Sequence, residues 1–156
     1  MTTAPLRAGV LGWIALLFIA IYSAPIRAKS QNDARSGEKM ACTASRFNSP
    51  QLYGQWLLRL DGDAAPSSVV FDKHPEFDGA IRGRVLRRGV ATPALLAGDA
   101  SQGVLSLEES ADGRNISGLW TGDVVDDSCG KEIRGVWTNT LDDSTRGFVL
   151  RRQAGW

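Results

Sequence analysis

The sequence predicts an all-β fold, a single antiparallel up-and-down β-barrel of about eight strands. Beyond Pro50, apolar and polar residues alternate with a period of two in short segments. Asp-Gly and similar turn residues separate these segments, and a five-residue unit with a central glycine recurs four times. We expect a closed barrel and not a sandwich, because closure removes the exposed edges of many short strands.

Each predicted strand is one of these alternating segments. The eight segments are residues 52–60, 67–71, 77–87, 90–97, 103–109, 115–125, 131–139 and 146–152. Short strands at such regular spacing, joined by short turns, are typical of all-β barrels.

The recurring unit has the form apolar, any, glycine, any, large apolar. It occupies residues 52–56, 81–85, 116–120 and 133–137. Because alternate side chains of a strand share a face, the glycine and both apolar residues of each unit point the same way, which we predict is inward. Small and large side chains in alternation fill a tapering barrel interior. The predicted interior residues include Gly54, Trp56, Ile81, Gly83, Gly118, Trp120, Gly135 and Trp137, together with the leading Leu52 and Ile116.

The amino-terminal region predicts export. An apolar run at residues 8–22 follows Arg7, and small residues around Ala28 suit a cleavage site. The predicted organisation is a signal peptide at 1–28, a short mobile arm at 29–49 and a barrel at 50–156, in a periplasmic or secreted protein. An uncleaved membrane anchor is the alternative interpretation of the first segment.

The two cysteines, Cys42 and Cys129, both lie in the part predicted to be exported. A pair of cysteines in an oxidising compartment predicts one disulfide. Closing so long a loop stabilises a domain by on the order of 4 kcal/mol in the chain-entropy model.

The charge balance argues against nucleic acid as a partner. Without residues 1–28 the basic residues fall from 18 to 16, because Arg7 and Arg27 are lost, against 17 acidic residues. A local cluster, Arg82, Arg84, Arg87 and Arg88, is predicted to lie on a solvated strand face, with an anion-binding patch as the alternative.

No sequence motif predicts a catalytic residue, a cofactor or a metal site. His74, the single histidine, lies between two predicted strands with Asp72 and Glu76 nearby. This candidate loop site is predicted to be an exposed loop, and the alternative is a hydrolase that uses His74 as a base. Glu108 and Glu109 are neighbours on a strand, so they point to opposite faces and cannot flank one bond.

Gly54-Gln55-Trp56 resembles the Gly-x-Trp feature of calycin barrels: lipocalins, avidin-like proteins and small bacterial inhibitors of secreted metalloproteases. Gly130-Lys131-Glu132-Ile133, followed by Trp137, resembles avidin-like chains alone. The resemblance covers roughly residues 50–152 and implies the barrel fold. Where avidin-like proteins hold biotin with polar residues, this chain has Leu57-Leu58-Arg59, so biotin is not expected. The metalloprotease inhibitors act through an amino-terminal segment, and the resemblance implies such a role for residues 29–49.

The sequence therefore predicts an exported, non-enzymatic binding protein whose partner is a small apolar ligand or another protein. The alternative is an inhibitor or interaction module that acts through its amino-terminal arm or its loops. A membrane is an expected partner only through an uncleaved signal peptide.

Overall fold

The computed structural model describes residues 42–155. The predicted signal peptide, residues 29–41 of the predicted arm and Trp156 lie outside the described residues. Two short 3₁₀ helices, Ala44–Arg46 and Ser49–Leu52, come first. The strands are β1 (Gly54–Leu60), β2 (Ser67–Lys73), β3 (Ala80–Leu86), β4 (Ala94–Ser101), β5 (Val104–Ser110), β6 (Gly118–Val124), β7 (Glu132–Asn139) and β8 (Thr145–Arg152).

The eight strands form one closed barrel in chain order. Each strand is antiparallel to the next, and β8 pairs with β1 to close the sheet. Inward residues face inward residues at the closing seam, where Leu58 lies opposite Leu150. The same holds within the sheet, where Trp56 lies opposite Val69. The predicted fold class is confirmed.

Three strands, β3, β4 and β6, begin three or four residues later than the alternation predicts. Phe77, Val90 and Ile116 were placed in strands but lie in loops, and they are 62%, 51% and 42% exposed. The interior position predicted for Ile116 is therefore wrong. For β3 the reason is Gly79, which lies inside the predicted 77–87 strand and adopts a positive φ that an extended strand does not allow.

The segment before β1 packs on one end of the barrel, which we call the disulfide end. The disulfide between Cys42 and Cys129 is present there, with a Cα–Cα distance of 4.8 Å. Phe47 is buried, and its carbonyl accepts a hydrogen bond from the Gly103 amide at 2.9 Å. Leu52, predicted at the start of the first strand, is buried in a 3₁₀ helix instead. The described part of the predicted arm thus contacts the barrel closely.

The turn between β4 and β5 explains this close docking. Gln102 and Gly103 form a two-residue connection in which both have positive φ, as in a type I′ hairpin. A Cβ placed at Gly103 would lie 2.7 Å from the carbonyl oxygen of Ala44. Glycine therefore serves both the turn and the close approach of the amino-terminal segment.

The other end of the barrel, which we call the loop end, carries residues 61–66, 87–93, 111–117 and 140–144. Within residues 42–155, none of the helices has the length and apolar character needed to cross a bilayer.

Candidate functional site

Aromatic rings fill much of the barrel interior. Trp56 contacts Phe71 with ring centroids 6.5 Å apart, and Trp120 contacts Phe148 at 5.0 Å, both edge to face. Such geometries are favourable because the edge of one ring meets the electron-rich face of the other. Trp56 and Trp120 are at most 2% exposed, so the two rings lie inside a packed core.

The residues predicted to line the interior are placed as follows. Trp56, Ile81 and Trp120 are buried, whereas Trp137 is half-buried and packs against the core. Gly83 and Gly118 are buried, and Gly54 and Gly135 are partly buried.

Three of these glycines, Gly83, Gly118 and Gly135, make room for rings, whereas a Cβ at Gly54 would meet nothing closer than 4.0 Å. A Cβ at Gly83 would lie 2.7 Å from the Phe71 ring, and one at Gly135 would lie 2.8 Å from the Phe148 ring. At Gly118 a Cβ would collide with the Trp137 indole. The small and large side chains of the repeated unit therefore complement one another across strands.

A buried carboxylate lies at the loop end of this interior. On β5, Leu105, Leu107 and Glu109 point inward by alternation, and Glu109 is 3% exposed. Its carboxylate accepts two hydrogen bonds from the Arg87 guanidinium, at 2.6 and 2.8 Å. It also accepts the indole N–H groups of Trp120 and Trp137, at 3.0 and 3.1 Å. We call these four residues the Glu109 cluster.

The carboxylate of Glu109 is fully engaged by its three partners in the cluster. Four donors engage the two carboxylate oxygens of Glu109, so its charge is compensated where burial would otherwise be costly. The solvated strand face predicted for Arg87 is wrong, because Arg87 follows the last residue of β3 and reaches back over the barrel end. Glu108 points outward, as the alternation predicts.

At the candidate loop site, the imidazole of His74 is held by backbone amides of the turn that it begins. The Nδ1 atom of His74 accepts hydrogen bonds from the backbone amides of Glu76 and Phe77, both at 3.2 Å. Its ring lies 4.9 Å from the Phe77 ring. Among the described contacts, no hydrogen bond joins the side chain of His74 to that of Asp72 or Glu76. Asp72 lies on the outer face of β2, and Glu76 lies in the turn that follows this strand. No three His, Cys, Asp or Glu side chains of residues 42–155 form a group that could hold a metal ion.

A groove on the outer surface is the best candidate for binding. It has a volume of about 460 Å³ and lies over the outward faces of β2 to β5, beside the 111–117 loop. A second groove of about 690 Å³ shares Ala97 and Glu108 with it and continues towards the disulfide end. We call the first one the strand groove. The residues that line it include Asp72, Arg82, Arg84, Leu95, Ala97, Glu108, Ser110 and Ile116.

The strand groove exists because a small residue lies between long ones. Across the outer face, Asp72 on β2 lies opposite Arg82, which lies opposite Ala97 on β4 and then Glu108 on β5. The next row is Val70, Arg84, Leu95 and Ser110. Ala97 therefore leaves a depression between the arginines of β3 and the carboxylate of β5.

Sequence reasoning named Arg82 and Arg84 as an alternative anion patch but missed the Glu109 cluster. The sequence did contain one indication of that cluster, because alternation places Glu109, a charged residue, at an inward strand position. Its partners come from β6, β7 and the loop after β3, and only the folded barrel brings them together.

No protein-family model matches this sequence. No curated protein matches it. Among solved structures the chain is similar to a redesigned β-barrel, at 16% sequence identity and a TM-score of 0.45, covering 73% of this chain and 97% of the redesigned one. The assignment of the fold therefore rests on the strand pairing of this chain, which is that of a closed eight-stranded up-and-down barrel.

Proposed function

We propose that this chain is an exported, non-enzymatic binding module that holds its ligand in the strand groove on the outside of the barrel. The observation that carries the proposal is the contrast between the two faces of the sheet. Inside, aromatic and aliphatic side chains occupy the space, whereas outside lies a groove of about 460 Å³. That volume lies within the range typical of small-molecule sites.

Two further observations support this proposal. The disulfide between Cys42 and Cys129 fits the oxidising conditions outside the cytoplasm. The Glu109 carboxylate is saturated with donors and His74 Nδ1 is occupied by backbone amides, so neither is poised to act as a base.

Native mass spectrometry of the protein purified from its own host tests the proposal. We expect a small-molecule adduct on the wild type that is lost in Ala97→Trp, because an indole at this outward position fills the floor of the groove. Thr121→Trp is the matched control, since Thr121 is an exposed, outward residue of β6 that does not line the groove. The control variant should keep the adduct.

A bare mass for the wild type, or an adduct that survives Ala97→Trp, contradicts binding in the strand groove. A bound polypeptide in the same spectrum would favour the second candidate, an inhibitor or interaction module. The observation that favours it is Phe77, which is 62% exposed and whose ring lies 4.9 Å from that of His74. An exposed aromatic ring on a loop is a typical anchor for a protein partner.

A further inference from the structure

The strand groove has one wall with unpaired positive charge. Arg82 and Arg84 are outward neighbours on β3, two residues apart. Neither forms an ion pair within the part of the chain that the structure describes. Other arginines do, since Arg134 and Arg151 share Glu132 and Arg146 binds Asp63. The guanidinium groups in the groove are therefore available to an anion from solution.

Arg84 is better placed than Arg82 to bind an anionic group. Its cross-strand neighbours are Val70 and Leu95, so no carboxylate lies in its row on β2 or β4. Arg82 has Asp72 opposite, which offsets part of its charge. Few acceptors of the protein itself compete for a guanidinium that is flanked by apolar side chains. Its planar N–H groups can donate to both oxygens of a carboxylate.

The wall beside Arg84 is apolar. Leu95 is 48% exposed, and Ile116 from the 111–117 loop is 42% exposed. The loop is held in shape by the Asp112 carboxylate, which accepts the backbone amides of Arg114 and Asn115, both at 2.8 Å. These amides and the Asn115 side chain hold the pKa of the Asp112 carboxyl well below its ordinary value. The apolar wall thus has a fixed position next to the charge.

The far wall limits the charge of the ligand. Glu108 lies two strands from Arg82 across Ala97, a separation of roughly 10 Å for two strand spacings. A second anionic group on the ligand would approach the Glu108 carboxylate and be repelled. The groove therefore fits a ligand with one negative charge on the side of Arg82 and Arg84 and no negative charge on the side of Glu108.

We propose that the strand groove binds a small amphipathic monoanion, with its carboxylate-like head on Arg84 and Arg82 and its apolar body against Leu95 and Ile116. This inference rests on the proposed function, and it names the class of ligand for the same groove.

Isothermal titration of the full-length protein with decanoate, below its micellar concentration, tests the charge requirement. Decan-1-ol is the uncharged probe with the same chain. We expect Arg84→Gln to weaken decanoate binding by about tenfold or more, because a charge-assisted hydrogen bond is lost, and to leave decan-1-ol binding unchanged. Arg59→Gln is the matched control, since Arg59 is an exposed, outward arginine of β1 that does not line the groove.

A second measurement needs no variant. Raising the salt concentration should weaken the binding of decanoate to the wild type and not that of decan-1-ol, because ions screen only the charged head. Equal binding of the two probes, or decanoate binding that is insensitive both to Arg84→Gln and to salt, overturns the inference. If Ala97→Trp still removes the adduct from the host protein in that case, the groove binds a ligand of another class and the proposed function stands.

Discussion

Glu109 shows how a single inward charge organises one end of the barrel. Its carboxylate joins Arg87, which follows β3, to indoles on β6 and β7, while Glu109 itself belongs to β5. Arg87 also lies over the Trp137 ring, 5.7 Å from its centroid, where a cation is attracted to the electron-rich face. The cluster therefore fixes four segments of the loop end relative to one another.

We expect Glu109→Gln to lower the free energy of unfolding by about 2–4 kcal/mol, because it leaves the Arg87 guanidinium without its counter-charge. The loss of stability should be smaller than the largest losses seen when fully buried ion pairs are broken, since the Arg87 side chain is 24% exposed and water can solvate it in part. Urea unfolding followed by tryptophan fluorescence measures the change.

Glu108→Gln is the control for this prediction, because it removes the same charge from the adjacent residue on the outer face. It should change the free energy of unfolding by less than about 0.5 kcal/mol. The double variant Arg87→Met with Glu109→Gln should recover part of the loss, since no charge then lies unpaired in the interior and the amide oxygen can still accept from the two indoles. Equal effects of Glu108→Gln and Glu109→Gln would show that the cluster does not stabilise the barrel.

At the scale of the strands, one ion-pair network ties β7 to β8. Glu132 lies opposite Arg151 in the register and accepts a hydrogen bond from it at 2.9 Å, while Arg134 of its own strand binds the other carboxylate oxygen at 2.7 Å. The hydrogen bonds from Arg151 and then Arg134 lower the pKa of Glu132 from its ordinary value. Cross-strand pairs of opposite charge of this kind stabilise a sheet modestly.

The lowered pKa of Glu132 predicts a pH dependence. Because the carboxylate is more acidic in the folded than in the unfolded chain, its contribution is fully present above the unfolded value of about 4.3 and is lost as the pH falls through the folded value. At pH 7 we expect Glu132→Gln to reduce the free energy of unfolding by about 0.5–1 kcal/mol. This difference from the wild type should shrink as the pH is lowered below 4, as measured by urea unfolding at each pH. A difference that stays constant with pH would contradict the assignment.

The strands are the level at which the sequence was most informative. Period-two alternation with turn residues predicted all eight, and it placed Trp56, Ile81 and Trp120 inward because strand side chains alternate by geometry alone. The starts of β3, β4 and β6 were predicted too early, since apolar residues such as Phe77 continue the pattern into loops. For β3, alternation could not show that Gly79 adopts a positive φ and delays the start of the strand.

The site was less predictable than the fold for a physical reason. Arg82 and Arg84 could be placed on the outer face, but the depth of the groove depends on the strand register that sets Ala97 between Arg82 and Glu108. The partner of Glu109 was not predictable either, because Arg87 lies 22 residues away and beyond the end of its strand. Both features arise from pairing between segments, which a local pattern does not contain.

At the scale of the whole molecule, the barrel closes through pairing of its first and last strands. β1 and β8 pair along five residues of each strand, from Trp56 opposite Arg152 to Leu60 opposite Phe148. Arg152 lies over the Trp56 ring at 5.1 Å and donates to the carbonyl oxygen of Tyr53, while the Trp56 indole donates to that of Leu52. The disulfide end is thus closed by the seam itself and by the segment that leads into β1.

The disulfide adds to this closure mainly through the unfolded chain. Cys42 and Cys129 are 87 residues apart, so the bond restricts a long loop that would otherwise be free in the unfolded state. We expect the double variant Cys42→Ser with Cys129→Ser to lower the free energy of unfolding by up to about 4 kcal/mol. The emission spectrum of the folded variant should match the wild type, because Trp56 and Trp120 are buried by the barrel and not by the disulfide.

Reduction of the wild type provides the control for the cysteine variant, because the reduced protein and the double variant lack the same covalent link. Urea unfolding should give both the same midpoint, below that of the oxidised protein. A red-shifted emission of the folded double variant would indicate wetted indoles, and the disulfide would then be needed to keep the barrel interior packed. An unchanged midpoint would instead show that contacts such as that between Phe47 and Gly103 already hold the segment in place.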